Sequence, residues 1–315
     1  MVLTGDDTKE INIITASLHH DFKIKNLGHL TYFLGLEITR NSSGLHLSQR
    51  NYTLDLLHET GMLDSAPVAT PMTHTSCLSP DQGSPLDADA TSQYKRLLGH
   101  LIYLTNTRTD IAFAVHNLSQ FIFAPTTRHQ QVVSRLLRYL KGTPDEGLYF
   151  SHTSSLHLCG FSDSDWATCP TTRTYVTGYS IYLGDSLLSW KSKKQPTISS
   201  SSSEAECRAL ATTTCELQWL SYLQDLHLPL SQPATLYCDN KSALQIASNQ
   251  VFHEHTKHIE IDCHLVREKL NSGFLKLLPI TFVMQVVDIF TKPLASAQFS
   301  TLKSKLGLTN IYSPA

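Results

Sequence analysis

Residues 156–165 read Leu-His-Leu-Cys-Gly-Phe-Ser-Asp-Ser-Asp, and this stretch decides the fold of the C-terminal half of the chain. Its composition and alternation predict a β-strand over residues 156–163. Alternate positions of a strand share a face, so Phe161 and Asp163 lie together, and Asp165 follows on the same face. Asp163 is the preferred functional carboxylate, and Asp165, at the frayed end of the strand, is its nearest rival.

Three further carboxylates occupy comparable positions. Glu206 stands near a helix start, Asp239 ends a predicted strand, and Asp288 follows Gln-Val-Val. Open α/β sheets usually place their sites at the carboxyl ends of strands. Four carboxylates gathered at one point repel one another and lose hydration, so such a cluster requires cations. Oxygen ligands suit hard ions, and we expect Mg²⁺, with Mn²⁺ as the other possibility.

A helical wheel places the two glutamates near the start of that helix on different faces. At about 100° per residue, Leu210 lies roughly 40° from Glu206, whereas Glu204 lies roughly 160° away. Glu206 is therefore expected to point toward the core. A simpler alternative is that Ser203-x-x-Glu206 is only a capping box. That alternative leaves a glutamate within the apolar stripe unexplained, and Ser201-x-x-Glu204 offers an equivalent box.

A series of longer motifs contains these residues in a fixed order. They are Phe-Ser-Asp-Ser-Asp-Trp-Ala (161–167), Ser-Trp-Lys-Ser-Lys-Lys-Gln (189–195), Ser-Ser-Ser-Glu-Ala-Glu (201–206), Cys-Asp-Asn-Lys-Ser-Ala (238–243), His-Thr-Lys-His-Ile-Glu-Ile-Asp-Cys-His (255–264) and Asp-Ile-Phe-Thr-Lys-Pro-Leu (288–294). Together they resemble the ribonuclease H domain of copia-type retrotransposon Pol polyproteins. The resemblance implies an α/β fold, a ribonuclease H-like mixed sheet with flanking helices.

The upstream half is similar to the end of the same family's reverse transcriptase. The motifs that carry this similarity include Tyr-Phe-Leu-Gly-Leu-Glu-Ile (32–38), Leu-Ile-Tyr-Leu-Thr-Asn-Thr-Arg-Thr-Asp-Ile (101–111) and Leu-Leu-Arg-Tyr-Leu-Lys-Gly-Thr (136–143). In the family a Tyr-Val-Asp-Asp polymerase motif stands just before the segment that begins here, so we expect no polymerase activity. Gly5-Asp6-Asp7 is not its substitute, because Asp7 is better interpreted as an N-cap with Glu10 completing its box.

The resemblance also implies a chemistry, namely metal-dependent hydrolysis of RNA paired to DNA. Two Mg²⁺ ions about 4 Å apart would be held by four carboxylates. These ligands are Asp163, Glu206, Asp239 and Asp288. The implied partners are an RNA/DNA hybrid and other parts of the polyprotein, in a cytoplasmic retroelement particle or the nucleus. The alternative is a catalytically inactive remnant that at most binds nucleic acid.

Composition is consistent with a globular product of two or three units. The chain has 315 residues, and 41% of them are hydrophobic. A formal net charge of −2 argues against a strong free-standing nucleic-acid binder. No run of apolar residues approaches a membrane span, so no membrane partner is expected. The seven cysteines include no Cys-x-x-Cys pair, which argues against a disulfide or zinc framework.

Composition shifts divide the chain into segments. The predicted divisions are a reverse-transcriptase remnant of palm and thumb (1–65), a linker (66–92), a helical thumb or connection region (93–150), a ribonuclease H-like domain (151–294), and a C-terminal helix and tail (295–315). In the family, residues 1–65 would pack on a palm sheet, so exposed apolar surface is expected there.

Periodicity predicts the elements within those segments. The predicted strands cover residues 32–38, 45–48, 156–163, 176–183, 186–192, 235–239 and 274–280. The predicted helices cover residues 52–60, 92–105, 111–123, 128–141, 203–224, 241–249, 255–270 and 285–292.

Two basic groups are candidates for phosphate contacts. They are Arg135, Arg138 and Lys141 on a predicted helix, and Lys191, Lys193 and Lys194 at a strand end. For each one alone a solvated surface is the simpler interpretation. A third set, His253, His255, His258 and His264, suggests a metal cluster at first sight, but an apolar stripe beside it favours helix-surface residues.

Overall fold

The computed structural model describes residues 2–76, 78–166, 174–228, 230–249 and 259–310. The helices in these ranges are α1 (Thr8–Phe22), α2 (Arg50–Glu59), α3 (Ala88–Leu104), α4 (Ala112–Ser119), α5 (Thr127–Gly142), α6 (Ser202–Ser221), α7 (Lys241–Ser248), α8 (Glu260–Asn271), α9 (Asp288–Thr291) and α10 (Ser296–Lys305). The strands are β1 (Tyr32–Phe33), β2 (Leu36–Asn41), β3 (Gly44–Ser48), β4 (Glu146–Ser151), β5 (Leu158–Asp165), β6 (Val176–Leu183), β7 (Ser186–Lys194), β8 (Ala234–Cys238), β9 (Leu275–Pro279) and β10 (Leu308–Asn310).

The sheet of the C-terminal half has the strand order β7-β6-β5-β8-β9. Strand β5 pairs antiparallel with β6 and parallel with β8, and β8 pairs parallel with β9. Parallel neighbours require a crossover. The connection from β5 to β8 runs through β6, β7 and α6, and the connection from β8 to β9 runs through α7 and α8. The sheet is therefore mixed, with β5 at its centre.

Helices cover both faces of this mixed sheet. On one face Tyr179 and Ile181 of β6 belong to a buried cluster with Leu210 of α6. On the other face Tyr182 of β6 belongs to a cluster with Phe290 of α9. Alternate side chains of β6 therefore belong to two buried clusters, one on each face of the sheet, as expected for a strand buried on both sides. The predicted α/β class, a mixed sheet with flanking helices, is confirmed.

A second sheet has the order β1-β2-β3-β4-β10 and joins residues far apart in sequence. Strand β3 pairs with β4, and β4 pairs with β10, all antiparallel. The predicted hairpin around Asn41 is confirmed, because β2 and β3 pair antiparallel on either side of it. In its turn, Asn41 Oδ1 accepts hydrogen bonds from the backbone N–H groups of Ser43 and Gly44. Strands β4 and β10 were not predicted. The proposed segment boundary between residues 150 and 151 falls at the end of β4.

The continuous strand predicted over residues 32–38 is wrong. It is broken into β1 and β2 by Leu34 and Gly35, both with positive φ, at 48° and 76°. Phe33 then pairs with Leu36 across this two-residue turn. Two residues with positive φ suit the twist of a tight hairpin, and the hydroxyl of Tyr103 on α3 donates to the Leu34 carbonyl.

A buried ion pair ties the helical region together. Arg108 donates from Nε and Nη2 to the carboxylate of Asp110, at 3.0 and 2.8 Å, and both side chains are at most 1% exposed. Tyr139 of α5 donates to the same carboxylate, and Arg108 also donates to the Thr143 carbonyl at 2.6 Å. Removing one partner of such a pair leaves an uncompensated buried charge, which costs about 3–5 kcal/mol.

Helix α1 differs from the other long helices because none of its residues is buried. Its predicted N-cap is confirmed, since Asp7 Oδ1 accepts from the N–H groups of Lys9 and Glu10 at 2.8 and 3.2 Å. Its apolar residues Ile13 and Phe22 are 69% and 72% exposed. The exposed apolar surface expected within residues 1–65 is therefore present.

The remaining element predictions agree with the structure at most positions, with one correction near the C-terminus. The helix predicted over 285–292 is limited to α9, and a 3₁₀ turn, Phe282–Met284, precedes it. The helix predicted over 255–270 is observed as α8, and its first four predicted residues lie outside the described part of the chain. Among the described helices, none has the length and apolar character that crossing a bilayer requires.

Candidate metal centre

Asp163 and Asp239 lie at one end of the mixed sheet. The register of the parallel strands β5 and β8 pairs Phe161 with Tyr237, so Asp163 and Asp239 each follow two residues later along adjacent strands. Neighbouring strands lie about 4.8 Å apart, which brings the two carboxylates close together. Asp163 is 3% exposed, and Asp239, just beyond the end of β8, is half-buried.

Glu206 reaches the same place from α6. Its Oε1 accepts a hydrogen bond from the Ser164 N–H at 3.1 Å, and its Oε2 lies 3.7 Å from the Cys238 Sγ. One ligand atom each of Glu206, Cys238 and Asp239 lies within 4.8 Å of the other two. Glu206 is 4% exposed, so it is a buried carboxylate between the ends of two strands.

Asp288 enters from the opposite face of the sheet as the first residue of α9. It is fully buried, and its Oδ1 accepts from Lys292 Nζ at 2.7 Å. Its Oδ2 is buried and has no hydrogen-bond partner among the described residues. The same ammonium lies 3.6 Å from Asp163 Oδ2, which also accepts from the Thr291 hydroxyl. Helix α9 therefore supplies one carboxylate and contacts a second.

The electrostatics of the cluster show mutual repulsion. Burial, followed by the charges of Asp163 and Asp239, raises the pKa of Glu206 well above its ordinary value. Burial and the charge of Asp163 raise the pKa of Asp239, and they raise the pKa of Asp288 to about 6. Burial acts to lower the pKa of Lys292, but Asp163 and Asp288 together raise it. Ionising Glu206, Asp239 and Asp288 therefore costs free energy that additional positive charge would recover.

The donor set of this centre fits a hard divalent cation. Carboxylate oxygens from four elements converge, and Asp288 Oδ2 is a buried acceptor that a cation could engage. Mg²⁺ and Mn²⁺ are the ions that such oxygen-rich sites prefer. The Cys238 thiol adds one softer atom, and burial raises its pKa, which keeps it protonated.

Comparison with known proteins identifies the family. Residues 1–74 match the family described as reverse transcriptase (RNA-dependent DNA polymerase). The chain is 42% identical over 312 residues to the retrovirus-related Pol polyprotein from transposon RE1 of Arabidopsis thaliana, which covers 99% of this chain and 21% of that protein. It is 41% identical to an uncharacterized mitochondrial protein of Arabidopsis thaliana, covering 70% of this chain and 91% of that protein. The chain belongs to the copia-type retrotransposon Pol family.

This Pol-family chain spans about a fifth of the length of the polyproteins it matches, 21% for transposon RE1 and 24% for transposon TNT 1-94 of Nicotiana tabacum. Among solved structures it is similar to ribonuclease H1 of Halobacterium salinarum, with 12% identity and a TM-score of 0.33 over 43% of this chain and 94% of that one. It is also similar to the foamy viral protease-reverse transcriptase in complex with RNA/DNA hybrid, with 12% identity and a TM-score of 0.46 over 89% of this chain and 34% of that one.

The two glutamates at the start of α6 in this Pol segment have different partners. Glu204 is also buried, but its Oε2 accepts from the Ser200 N–H at 2.6 Å and its Oε1 pairs with Arg208 at 2.9 Å. Ser201 is the N-cap, and its hydroxyl accepts from the Glu204 N–H at 3.2 Å. The alternative in which Ser203 and Glu206 form the cap is therefore wrong. The predicted difference in direction between the two side chains agrees with the structure, since of these two glutamates only Glu206 reaches Cys238 and Asp239.

The candidate phosphate-binding residues fall into two places. On α5, Arg135 donates to the Thr70 hydroxyl at 2.9 Å and Arg138 donates to the Ala66 carbonyl at 2.7 Å, so both guanidinium groups hold the segment before α3. Lys141, near the end of α5, is half-buried. Both arginines therefore have hydrogen-bond partners within the chain.

The lysines on β7 lie nearer to the carboxylates. Lys191 and Lys193 are exposed, and Lys194 Nζ donates to Gln120 at 2.8 Å. Lys194 pairs with Val176 of β6, which pairs with Asp165 of β5. Two strand spacings are about 10 Å, so this end of β7 lies about that far from Asp165, two residues beyond Asp163 on β5. Of the four histidines, His264 is exposed, and the others lie outside the described residues.

Sequence reasoning missed Lys292 and Gln285. Lys292 stands four residues after Asp288, a spacing at which opposite charges meet on a helix, and this signal was available. Gln285 Nε2 donates to the Ser162 carbonyl at 2.9 Å, and a hydrogen bond from its side chain acts to lower the pKa of Asp239. The rival Asp165 is half-buried, and its charge contributes to the raised pKa of Lys292.

Proposed function

We propose that this chain hydrolyses the RNA strand of RNA/DNA hybrids with divalent ions held by four carboxylates. The ligands are Asp163, Glu206, Asp239 and Asp288. The observation that carries the proposal is their arrangement. Carboxylates from β5, α6, the end of β8 and α9 meet at one sheet end, three of them are almost fully buried, and the pKa values of three are raised. Holding buried carboxylates this close together is energetically unfavourable unless cations neutralise part of their charge.

When bound, divalent ions would polarise the scissile phosphate and lower the pKa of an attacking water. The chain's own groups orient the ligands for that purpose. The Ser164 N–H holds Glu206, and the Thr291 hydroxyl holds Asp163. Gln285 donates to the Ser162 carbonyl of the central strand β5, and its side chain also contacts Asp239. Because these supports come from backbone and buried side chains, the carboxylates would need little rearrangement on binding.

The hybrid would approach the sheet end where the carboxylates lie. Exposed Lys191 and Lys193 on β7 are the best placed basic side chains for its phosphates, with Lys194 beside them. Arg135, Arg138 and Lys141 are the second proposed group. Other parts of the polyprotein are the proposed protein partners, in a cytoplasmic retroelement particle or in the nucleus.

The test is cleavage of an end-labelled RNA/DNA hybrid by the purified chain, with Mg²⁺ present and with chelator. We expect cleavage of the RNA strand only when Mg²⁺ is present, and none with Asp163→Asn. Double-stranded DNA and double-stranded RNA are the substrate controls. Hybrid binding without cleavage at any Mg²⁺ or Mn²⁺ concentration would favour the inactive nucleic-acid-binding remnant instead.

A further inference from the structure

The ammonium of Lys292 lies between two of the candidate metal ligands. Its Nζ is 2.7 Å from Asp288 Oδ1 and 3.6 Å from Asp163 Oδ2. The lysine side chain is only 24% exposed, and the two carboxylates are 0% and 4% exposed as side chains. This is a sheltered cation rather than a solvated surface lysine, and it joins α9 to β5.

The position of Lys292 is fixed from several sides. Its backbone is extended, with φ −133° and ψ 148°, immediately after α9 ends at Thr291. Pro293 follows, and a residue before proline is restricted to such extended conformations. The centroid of the Phe282 ring lies 5.3 Å from Nζ and gives the ammonium an aromatic contact.

A divalent ion held by Asp163 and Asp288 would lie beside the same two carboxylates that this ammonium contacts. Mg²⁺ bound to a carboxylate lies about 2.0–2.1 Å from the oxygen, close to where the Lys292 Nζ already approaches Asp288 Oδ1. Two cations at that separation also repel each other strongly in a buried site. Occupation of the place between Asp163 and Asp288 by one of them therefore excludes the other.

We propose that Lys292 is a built-in competitor for divalent cations at Asp163 and Asp288. Its ammonium stabilises these two carboxylates when no divalent ion is bound, and an ion enters between them only when the lysine side chain leaves. Lys292 thereby weakens the affinity of this position for Mg²⁺ or Mn²⁺ and stabilises the metal-free fold. The inference rests on the proposed function for the assignment of the two aspartates as ligands.

The test is titration with Mn²⁺ followed by electron paramagnetic resonance of the free ion, together with the melting temperature of the metal-free protein. In Lys292→Gln we expect the weakest-bound Mn²⁺ to bind at least about tenfold more tightly, with a lower metal-free melting temperature. Lys292→Arg keeps the charge and should resemble the wild type. Lys276→Gln, at an exposed position of β9, removes one positive charge elsewhere and should change neither measurement.

Unchanged or weaker Mn²⁺ binding by Lys292→Gln would overturn the inference. If that variant is unfolded without metal, recovery of the wild-type circular dichroism spectrum on adding Mn²⁺ supports the inference, and failure to recover opposes it. Hybrid cleavage by the wild type is measured in parallel. No cleavage together with the expected Mn²⁺ shift rejects only the proposed function, whereas cleavage with unchanged Mn²⁺ affinity rejects only the role of Lys292.

Discussion

Thr291 donates its hydroxyl hydrogen bond to the carboxylate of Asp163, a residue 128 positions earlier in the chain. Thr291 is fully buried on α9, and Asp163 lies on the central strand β5. The same short helix begins with Asp288, so one element supplies a candidate ligand and orients another. The last motif of the domain therefore completes the site begun by the first strand, and neither is sufficient alone.

The first prediction compares the glutamates of α6. Glu206→Gln should reduce Mg²⁺-dependent hybrid cleavage by more than roughly a hundredfold, because it removes a negative ligand without changing the side chain's size. Glu204→Gln should keep most of the activity and lose about 1 kcal/mol of stability with its ion pair to Arg208. Cleavage rates and urea unfolding curves measure the two effects. Greater loss of cleavage in Glu204→Gln than in Glu206→Gln would contradict this assignment.

The second prediction concerns charge in the metal-free site. Burial and Asp163 raise the pKa of Asp239, so its ionised form is unfavourable in the folded protein. Asp239→Asn should therefore leave the metal-free melting temperature unchanged or raise it by a few degrees, about 1 kcal/mol, while weakening stabilisation by Mg²⁺. Thermal melts with and without millimolar Mg²⁺ measure both. A lower metal-free melting temperature, with no Mg²⁺ effect in the wild type, would make Asp239 a structural residue.

The third prediction is a pH dependence of stability. The pKa of Asp288 is raised to about 6 by burial and by the charge of Asp163, whereas the unfolded chain has the ordinary value of about 3.9. Between these values the folded protein holds a proton that the unfolded chain releases. The contribution of Asp288 to metal-free stability is therefore complete below about pH 4 and falls as pH rises to about 6, by at most about 1.4 kcal/mol per pH unit.

Urea unfolding of the metal-free protein at a series of pH values measures this slope. Asp288→Asn is the matched variant, because an amide of the same shape cannot ionise, and its slope over the same interval should be less negative. Saturating Mg²⁺ should make the slope of the wild type less negative, since a bound ion opposes protonation of Asp288. Equal slopes in the wild type and Asp288→Asn would show that Asp288 does not titrate in this interval.

Local periodicity was sufficient to predict the elements that position three of the four carboxylates. Strand β5 and the rotation of α6 follow from the spacing of apolar residues within each segment, and Asp239 follows a β-branched and aromatic run. Their convergence was inferred from sheet topology and family resemblance. Asp288 was placed within a helix over residues 285–292, whereas the observed helix α9 begins only at Asp288.

Features that depend on distant partners could not be predicted from the sequence. Strands β4 and β10 are short, and β10 has three residues that are ordered by pairing with β4 more than 150 positions away. Leu34 adopts a positive φ that its own side chain disfavours, and a hydrogen bond from Tyr103 accompanies that turn. In both cases tertiary contacts override local preference.

The fourth prediction tests the buried ion pair of the helical region. Asp110→Ala should cost about 3–5 kcal/mol, because it leaves Arg108 charged and buried without its main partner. The exposed Asp89 in the first turn of α3 is the control, and Asp89→Ala should change stability by less than about 0.5 kcal/mol. Urea unfolding measures both. A loss below about 1 kcal/mol in Asp110→Ala would mean that water or Glu146, 3.6 Å from Arg108, compensates the charge.

The fifth prediction concerns the apolar surface of α1. Ile13 and Phe22 are largely exposed and the helix buries none of its residues, so these side chains add apolar surface without stabilising the fold. Ile13→Lys with Phe22→Ser should reduce self-association in sedimentation velocity experiments and change the free energy of unfolding by less than about 0.5 kcal/mol. Leu101, fully buried on α3, provides the contrast, since Leu101→Ala should cost about 2–5 kcal/mol. A comparable loss of stability in the α1 double variant would show that α1 packs against the remainder of the chain in solution.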